Sequence, residues 1–210
     1  MDIVDPAVDR YLRDLASPQD PILREMELVA AERGFPIVGP VVGRLLQLLC
    51  RAIRARRVIE LGSGFGYSAY WLARGVGPGG EVVLTEHSAE QAAQAQDYLR
   101  RGRLDDRVRI HVGDALETIE SIGGQFDLVF NDIDKEDYPR VFDRASAALR
   151  PGGLLVSDNM LWFGTVLEPN AADPSTRGVQ ELTRLLHESD EFDTVLLPIR
   201  DGVTVSTYRA

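Results

Sequence analysis

The sequence predicts an α/β fold: N-terminal helices, then a doubly wound, mostly parallel sheet of seven strands that ends in an antiparallel hairpin. From residue 57 onward, short β-branched apolar runs alternate with helical stretches, the pattern of βαβ units. These runs are apolar enough to be buried on both faces of a sheet. Near the end of the chain, two β-rich runs flank Asp201-Gly202, a strong hairpin signal.

The N-terminal part, residues 1–55, has helical periodicity that is interrupted at the Gly- and Pro-rich stretch "RGFPIVGP". A length of 210 residues suits one domain with a sizeable core. We therefore expect a single domain over 1–210, made of a helical extension (1–55) and an α/β core (56–210).

Within the core, each predicted strand is followed by a predicted helix until the closing hairpin. The predicted strands are "RVIEL", "EVVLTE", "RVRIHVG", "FDLVFND", "GGLLVSDN" and the two runs of "DTVLLPIRDGVTVSTYR". The predicted helices lie at 67–74, 88–101, 114–121, 137–149 and about 175–190.

Composition argues against several classes of function. The net charge is −10, so nucleic acids are repelled at long range. No apolar run approaches the ~20 residues of a membrane span, and the acidic start "MDIVDPAVDR" lacks the features of a signal peptide. We expect a cytoplasmic protein that acts on a small molecule, without a nucleic-acid or membrane partner. The single cysteine, Cys50, is expected in a buried helix.

A glycine-rich loop, "VIELGSGFGYS", follows the first predicted strand and precedes a helix. Glycines there let a ligand approach the backbone closely. The spacing is G-x-G-x-G, whereas the dinucleotide fingerprint is G-x-G-x-x-G. Glu86 ends the second strand, where a carboxylate suits a ribose diol, and Asp114 ends the third. These features favour a nucleoside cofactor; the alternative is a glycine-rich turn with solvated acids.

With this loop and the terminal hairpin, residues 57–210 resemble a class I S-adenosylmethionine-dependent methyltransferase, which has a Rossmann-like sheet. The resemblance implies that the cofactor's methionine end lies near Glu60, the ribose near Glu86 and the adenine near Asp114. Tyr67 also suits core packing, and His87 also suits a solvated loop. The candidate cofactor contacts are Glu60, Gly62, Gly64, Tyr67, Ser68, Glu86, His87, Asp114, Ala115 and Asp132.

Polar side chains also end the fourth and fifth predicted strands: Asp132 in "FND", and Asp158 with Asn159 in "VSDN". Adjacent parallel strands bring such residues together at the ligand-binding edge of a sheet. Two carboxylates and an amide oxygen form a hard ligand set that suits magnesium, manganese or calcium. The alternative is a structural role for all three.

The motifs "NDIDK" and "SDNMLW" narrow the resemblance to cation-dependent O-methyltransferases of catechol and caffeoyl-CoA type. This resemblance implies that Asp132, Asp158 and Asn159 bind the cation and that Lys135, with Asp132, is catalytic. It extends through Trp162, which suits either stacking on a substrate or core packing. It also implies a homodimer.

Lys135 is the only lysine among 23 basic residues. Lysine can act as a base, whereas arginine effectively cannot lose its proton. The alternative is that Lys135 pairs with an acidic neighbour such as Asp134 or Glu136. We expect methyl transfer from S-adenosylmethionine to a phenolic hydroxyl, aided by a divalent cation. The other candidates are a metal-independent methyltransferase, a nicotinamide-dependent oxidoreductase, a nucleic-acid methyltransferase and a cofactor-binding regulatory protein.

Overall fold

A computed structural model describes residues 4–209 of the chain. Its centre is one seven-stranded sheet. The strands are β1 (Arg57–Leu61), β2 (Glu81–Glu86), β3 (Val108–Val112), β4 (Phe126–Asn131), β5 (Leu149–Ser157), β6 (Phe192–Leu197) and β7 (Val203–Tyr208).

The strand order is β3-β2-β1-β4-β5-β7-β6. The pairs among β1 to β5 are parallel, whereas β7 is antiparallel to both β5 and β6. The predicted doubly wound sheet with a terminal antiparallel hairpin is thus confirmed. The chain builds outward from β1 to β3 and then returns to β4, so the order reverses between β1 and β4. A ligand crevice is expected at such a reversal.

Eight α-helices surround the sheet within the described residues. Each predicted helix is found, with no end shifted by more than two residues, and the N-terminal part has a further break at 17–20. The helices are α1 (Pro6–Ala16), α2 (Pro21–Arg33), α3 (Gly39–Ala52), α4 (Tyr67–Val76), α5 (Ala89–Arg101), α6 (Ala115–Ile122), α7 (Tyr138–Ala148) and α8 (Pro174–Glu188).

The sheet separates two hydrophobic cores. On β1, Val58 packs in one core with α2 to α5, and Ile59 packs in the other with α6 to α8. Both residues are fully buried, because successive side chains of a strand point to opposite faces. Burial on both faces accounts for the continuous apolar runs of the inner strands.

The ends of the inner strands are aligned by their register. Asn131 at the end of β4 pairs with Leu61 of β1 on one side and Ser157 of β5 on the other. The strand β4 stops one residue before its predicted end and β5 stops two residues before, so Asp132 and Asp158 each follow a strand instead of lying within it. Their backbone N–H groups still donate across the sheet, to Leu61 O at 2.9 Å and Asn131 O at 3.1 Å. Asp132 and Asp158 therefore lie just beyond the aligned ends of two neighbouring strands, at the same edge of the sheet.

Within residues 4–209, the structure contains no helix with the length and apolar character needed to span a membrane.

Candidate active site

A cavity of about 800 Å³ opens at the carboxyl ends of β1, β2, β4 and β5. Every candidate site residue named from the sequence lines it, with the exception of Glu60. The N-terminal segment between α2 and α3 forms part of the wall through Phe35 and Ile37. The sheet edge predicted to bind ligands is thus the edge with the large cavity.

The glycine-rich loop forms the floor of one half of this cavity. Gly62 and Gly64 have φ values of 79° and 59°, in the left-handed region that glycine adopts without strain. A Cβ on Gly62 would lie 2.7 Å from the carbonyl oxygen of Asp132, and one on Gly64 would lie 2.8 Å from the Phe35 ring. Larger residues at either position would push the loop out of place.

Glu86 supports this loop. Its Oε2 accepts a hydrogen bond from Gly64 N at 2.7 Å, and its Oε1 accepts one from Ser88 N at 2.8 Å. The neighbouring Thr85 is fully buried; its hydroxyl accepts from Gly62 N and donates to the carbonyl of Glu60. A carboxylate oxygen can accept more than one hydrogen bond, so both oxygens of Glu86 can also accept from a ligand in the cavity.

Glu60 lies beneath the loop, not in the cavity wall. Its side chain is fully buried, and neither carboxylate oxygen has a hydrogen-bond partner in the structure. Burial raises the pKa of Glu60 to about 8, an effect that the nearby Ser63 and Ser68 hydroxyls partly offset and that Asp132 and Glu86 reinforce. The acid that precedes the glycines therefore lies below the loop, and its predicted contact with the cofactor stays a prediction.

The other candidates on the cofactor side have mixed environments. Tyr67 is 1% exposed and donates from its hydroxyl to Glu27 at 2.6 Å, so it packs in the core while reaching the cavity wall. Ser68 is also buried, whereas His87 is exposed at the rim. Asp114 accepts a hydrogen bond from Glu117 N at 2.9 Å and so caps α6. Ala115 follows as the first residue of that helix.

The second half of the cavity contains Asp132 and Asp158. Asp158 is 2% exposed, and its Oδ1 has no hydrogen-bond partner in the structure. Burial and the charge of Asp132 raise the pKa of Asp158 to about 7, whereas Arg200 and Lys135 lower it. A buried carboxylate beside another carboxylate, with an unpaired oxygen, is an electrostatically unfavourable arrangement that a cation would relieve.

Lys135 lies beside this pair, in a short 3₁₀ turn (Lys135–Asp137). Its Nζ donates to Asp132 Oδ1 at 2.8 Å and to the carbonyl of Ile133 at 3.1 Å. The same Nζ lies 4.8 Å from the centre of the Tyr138 ring and 5.8 Å from that of Trp162. Lys135 is only 8% exposed, so its amine is held inside the cavity wall instead of extending into solvent.

Asn159 begins a loop of unusual backbone geometry. Asn159, Trp162 and Phe163 all have positive φ, at 57°, 41° and 55°. The side-chain amide of Asn159 donates to Asp201 Oδ2 at 3.4 Å, and Phe163 N donates to Asp201 Oδ1 at 2.6 Å. Trp162 and Phe163 therefore form an aromatic rim beside the two carboxylates, held by the tip of the β6–β7 hairpin.

Among residues 4–209, no three His, Cys, Asp or Glu side chains converge as a metal site. The ligand set expected from the sequence contains two carboxylates and one amide oxygen, from Asp132, Asp158 and Asn159. All three residues line the cavity.

Comparison with known proteins decides the family. The model of the O-methyltransferase family matches residues 14–208 of the chain. The chain belongs to the O-methyltransferase family. The family and fold implied by the sequence resemblance are therefore confirmed, and the protein is an enzyme of the S-adenosylmethionine-dependent O-methyltransferase class.

Relatives of this O-methyltransferase cover most of its length. A catechol O-methyltransferase of Niastella koreensis is 34% identical over 91% of the chain and 89% of its own length. Another, from Mycobacterium tuberculosis, is 41% identical over 80% of the chain and 78% of its own length. The crystal structure of an O-methyltransferase from Bacillus cereus in complex with SAH has a TM-score of 0.88 and 33% identity, and covers 97% of both chains.

Sequence reasoning missed several residues of the O-methyltransferase site. Thr85 binds the glycine-rich loop, and Arg200 and Asp201 line the cavity from the hairpin tip. These positions follow from the folded sheet. The signal for Thr85 was its position next to Glu86, and Asp201-Gly202 was read only as a turn. Phe35 belongs to the interrupted helical segment, whose contact with the loop at Gly64 has no signature in the sequence.

Proposed function

We propose that the protein transfers the methyl group of S-adenosylmethionine to one hydroxyl of a catechol-type phenol, with a divalent cation bound beside the acceptor. The observation that carries this proposal is the pair of buried Asp158 and half-buried Asp132, with Lys135 on Asp132. That pair shares a single cavity with the glycine loop and Glu86.

The glycine-loop half is the proposed donor site. S-adenosylmethionine has a ribose diol, which suits the carboxylate of Glu86, and an adenine, which suits the start of α6 at Asp114 and Ala115. The absence of side chains on Gly62 and Gly64 leaves room for the methionine end. The Bacillus cereus structure contains SAH, and its high similarity over the full chain supports this assignment.

The cation is proposed to bind Asp132, Asp158 and Asn159. These residues fit a hard divalent ion, because all three offer oxygen and Asp158 Oδ1 is buried without a partner. A cation there supplies Lewis-acid chemistry, which favours the ionised form of a hydroxyl bound to it. Magnesium, manganese and calcium all suit this ligand set.

The chain's own contribution to the chemistry is proposed to centre on Lys135. The phenolic oxygen forms a bond to the methyl carbon, the carbon–sulfur bond of the sulfonium breaks, and S-adenosylhomocysteine leaves. Lys135 is proposed to be the base that takes up the hydroxyl proton, and Asp132 and the Ile133 carbonyl hold its amine at the edge of the cavity. Asp132 contributes to catalysis by orienting this amine.

The acceptor is proposed to be a small planar phenol with two adjacent hydroxyls. The aromatic rim of Trp162 and Phe163 offers flat apolar surface next to the carboxylate pair. Two relatives that match most of the chain are named catechol O-methyltransferase, which supports the same class.

Removal of the cation is the direct test. We expect a chelator to abolish methylation of a catechol and added magnesium or manganese to restore it. Asp158→Ala should have the same effect as the chelator, while SAH affinity measured by calorimetry stays within about twofold. Asp193→Ala is a suitable control, because Asp193 pairs with Arg209 on the outer strand β6. Full catechol turnover in excess chelator would refute the cation assignment.

A further inference from the structure

The tip of the terminal hairpin reaches the loop that carries Asn159. The backbone carbonyl of Asp201 accepts from Leu161 N at 2.8 Å, and that of Gly202 accepts from Met160 N at 2.9 Å. Gly202 has a φ of 86°, and a Cβ there would lie 2.8 Å from Leu161 N. The hairpin tip and the loop after β5 are therefore joined closely along their backbones.

The side chain of Asp201 accepts two further hydrogen bonds, one from a backbone N–H group and one from a side-chain amide. Its Oδ1 accepts from Phe163 N at 2.6 Å, and its Oδ2 accepts from the side-chain amide nitrogen of Asn159 at 3.4 Å. A carboxylate can only accept hydrogen bonds, so it selects the NH₂ end of the neighbouring amide. The carbonyl oxygen of Asn159 must then point away from Asp201.

We infer that Asp201 is a positioning residue for the cation site: it fixes the side-chain amide of Asn159 so that the oxygen, not the nitrogen, faces Asp132 and Asp158. This inference rests on the proposed function, because it assumes the cation ligands named there. Groups beyond the direct ligands commonly orient metal ligands in this way. Through Phe163 N, the same carboxylate holds the aromatic rim of the cavity.

The backbone of the loop explains why such a restraint is needed. Asn159, Trp162 and Phe163 have positive φ values, which side-chain-bearing residues adopt rarely and at a cost in free energy. Strained residues keep their conformation only when surrounding contacts hold them. Asp201 supplies three such contacts, one from its backbone and two from its carboxylate.

Asp201→Asn is the sharpest test. Asn-Gly is as favourable a hairpin turn as Asp-Gly, so the hairpin should form. The new side chain can accept from Phe163 N with its oxygen, but it then offers NH₂ to Asn159, whose amide turns its oxygen toward it. The amide nitrogen of Asn159 would then face the carboxylates, where it cannot bind a cation.

The measurement is manganese affinity by calorimetry on the full chain saturated with SAH, without acceptor. We expect Asp201→Asn to weaken manganese binding by about 10- to 100-fold. SAH affinity should change less than twofold. Asp193→Asn, the same substitution on the same hairpin but in an ion pair with Arg209, should bind manganese as the wild type does.

A double-mutant cycle separates positioning from a general effect on folding. Asn159→Gly removes the amide and relieves the positive φ at that position. If Asp201 acts through this amide, Asp201→Asn should cause little further loss of manganese affinity in the Asn159→Gly background. Equal losses in both backgrounds, or unchanged manganese affinity of Asp201→Asn, would overturn the inference. A wild-type protein that binds no manganese would instead refute the proposed cation site.

Discussion

Lys135 combines three properties that bear on its role. It is the only lysine of the chain, it is 8% exposed, and its amine is held by Asp132 and the Ile133 carbonyl. A lysine that merely balanced Asp134 or Glu136 would extend into solvent. The enclosed position argues against a surface ion pair with Asp134 or Glu136, because the carboxylate that pairs with the amine is Asp132.

Lys135→Arg is expected to lower turnover by about 10²–10⁴-fold, the usual loss for a general base. Arginine keeps the positive charge but effectively cannot accept a proton. The deficit should shrink at high pH, where the phenol ionises without a base. The measurement is the pH profile of turnover at saturating magnesium, with Lys135→Ala beside it. An arginine variant within about twofold of wild type at neutral pH would show that charge alone suffices.

Glu60 is expected to make the stability of the protein depend on pH. Its pKa is raised to about 8 by burial, so the folded state binds a proton that the unfolded state releases above the ordinary pKa of a glutamate. The stabilisation is fully present at low pH and is lost as pH rises toward 8. We thus expect the acid to be mostly protonated at neutral pH.

Glu60→Gln should remove this dependence, because glutamine resembles the protonated acid and does not titrate. Between pH 5 and 8, the unfolding free energy of the wild type should fall relative to that of the variant by on the order of 3 kcal/mol. Urea denaturation of both proteins at the two pH values measures the difference. Parallel pH profiles would mean that Glu60 is ionised or solvated in the folded state.

At the scale of elements, the candidate site depends on close backbone contacts between segments that are distant in the sequence. Gly178 on α8 lies against the Lys135 turn so closely that a Cβ would overlap the carbonyl oxygen of Lys135. Tyr138, the first residue of α7, donates from its hydroxyl to the carbonyl of Asp158 at 2.8 Å. The 3₁₀ turn that begins at Lys135 is therefore held in place by both α8 and the end of β5.

Gly178→Ala should displace the Lys135 turn. We expect a loss of stability of about 1–3 kcal/mol from overpacking and a larger fall in turnover than in SAH affinity, since the atoms that a Cβ on Gly178 would overlap belong to Lys135 and Glu136. Thermal unfolding and single-turnover kinetics measure the two effects. Glu181→Ala, whose partly exposed side chain pairs with Arg184 on the same helix, is the control. Normal turnover in Gly178→Ala would show that the turn tolerates displacement.

Much of this arrangement was predictable from the sequence, for a physical reason. Parallel strands end at one edge of a sheet, so Asp132, Asp158 and Asn159 could be grouped from strand patterns alone. The burial of Glu60 and the contact between Asp201 and Asn159 could not be predicted in this way. The first depends on how the glycine-rich loop packs over the end of β1, and the second on how the terminal hairpin packs against the loop after β5. Neither kind of packing produces a periodic pattern in the sequence.

At the scale of the whole molecule, α1 differs from the other α-helices of residues 4–209 in how little of it is covered. None of its residues is buried, and Val8, Tyr11 and Leu15 are 48%, 62% and 66% exposed. Apolar side chains of this size on one helix are unfavourable in water unless something covers them. The homodimer implied by the sequence resemblance would offer such a cover.

We therefore expect sedimentation velocity to give a mass of two chains at micromolar concentration. Leu15→Glu should shift the protein toward one chain, because a charge on an apolar contact surface is costly to bury. Leu28→Glu, at an exposed apolar position on α2, is the matched control. A wild-type protein that sediments as one chain would exclude the homodimer, and equal effects of the two substitutions would exclude α1 as its interface.

The use of arginine at the other 22 basic positions has a practical consequence for labelling chemistry. Apart from the amino terminus, an amine-reactive ester has one target, and it lies inside the candidate active site. The rate of acylation at Lys135 should report how far the cavity is filled, with SAH and a catechol slowing it. In protein whose Lys135 is not acylated, a protease specific for lysine should cut once after denaturation, giving fragments 1–135 and 136–210. The glycine loop and Asp132 would be in one fragment and Asp158 and Asn159 in the other, so mass spectrometry could assign a probe to either half of the cavity.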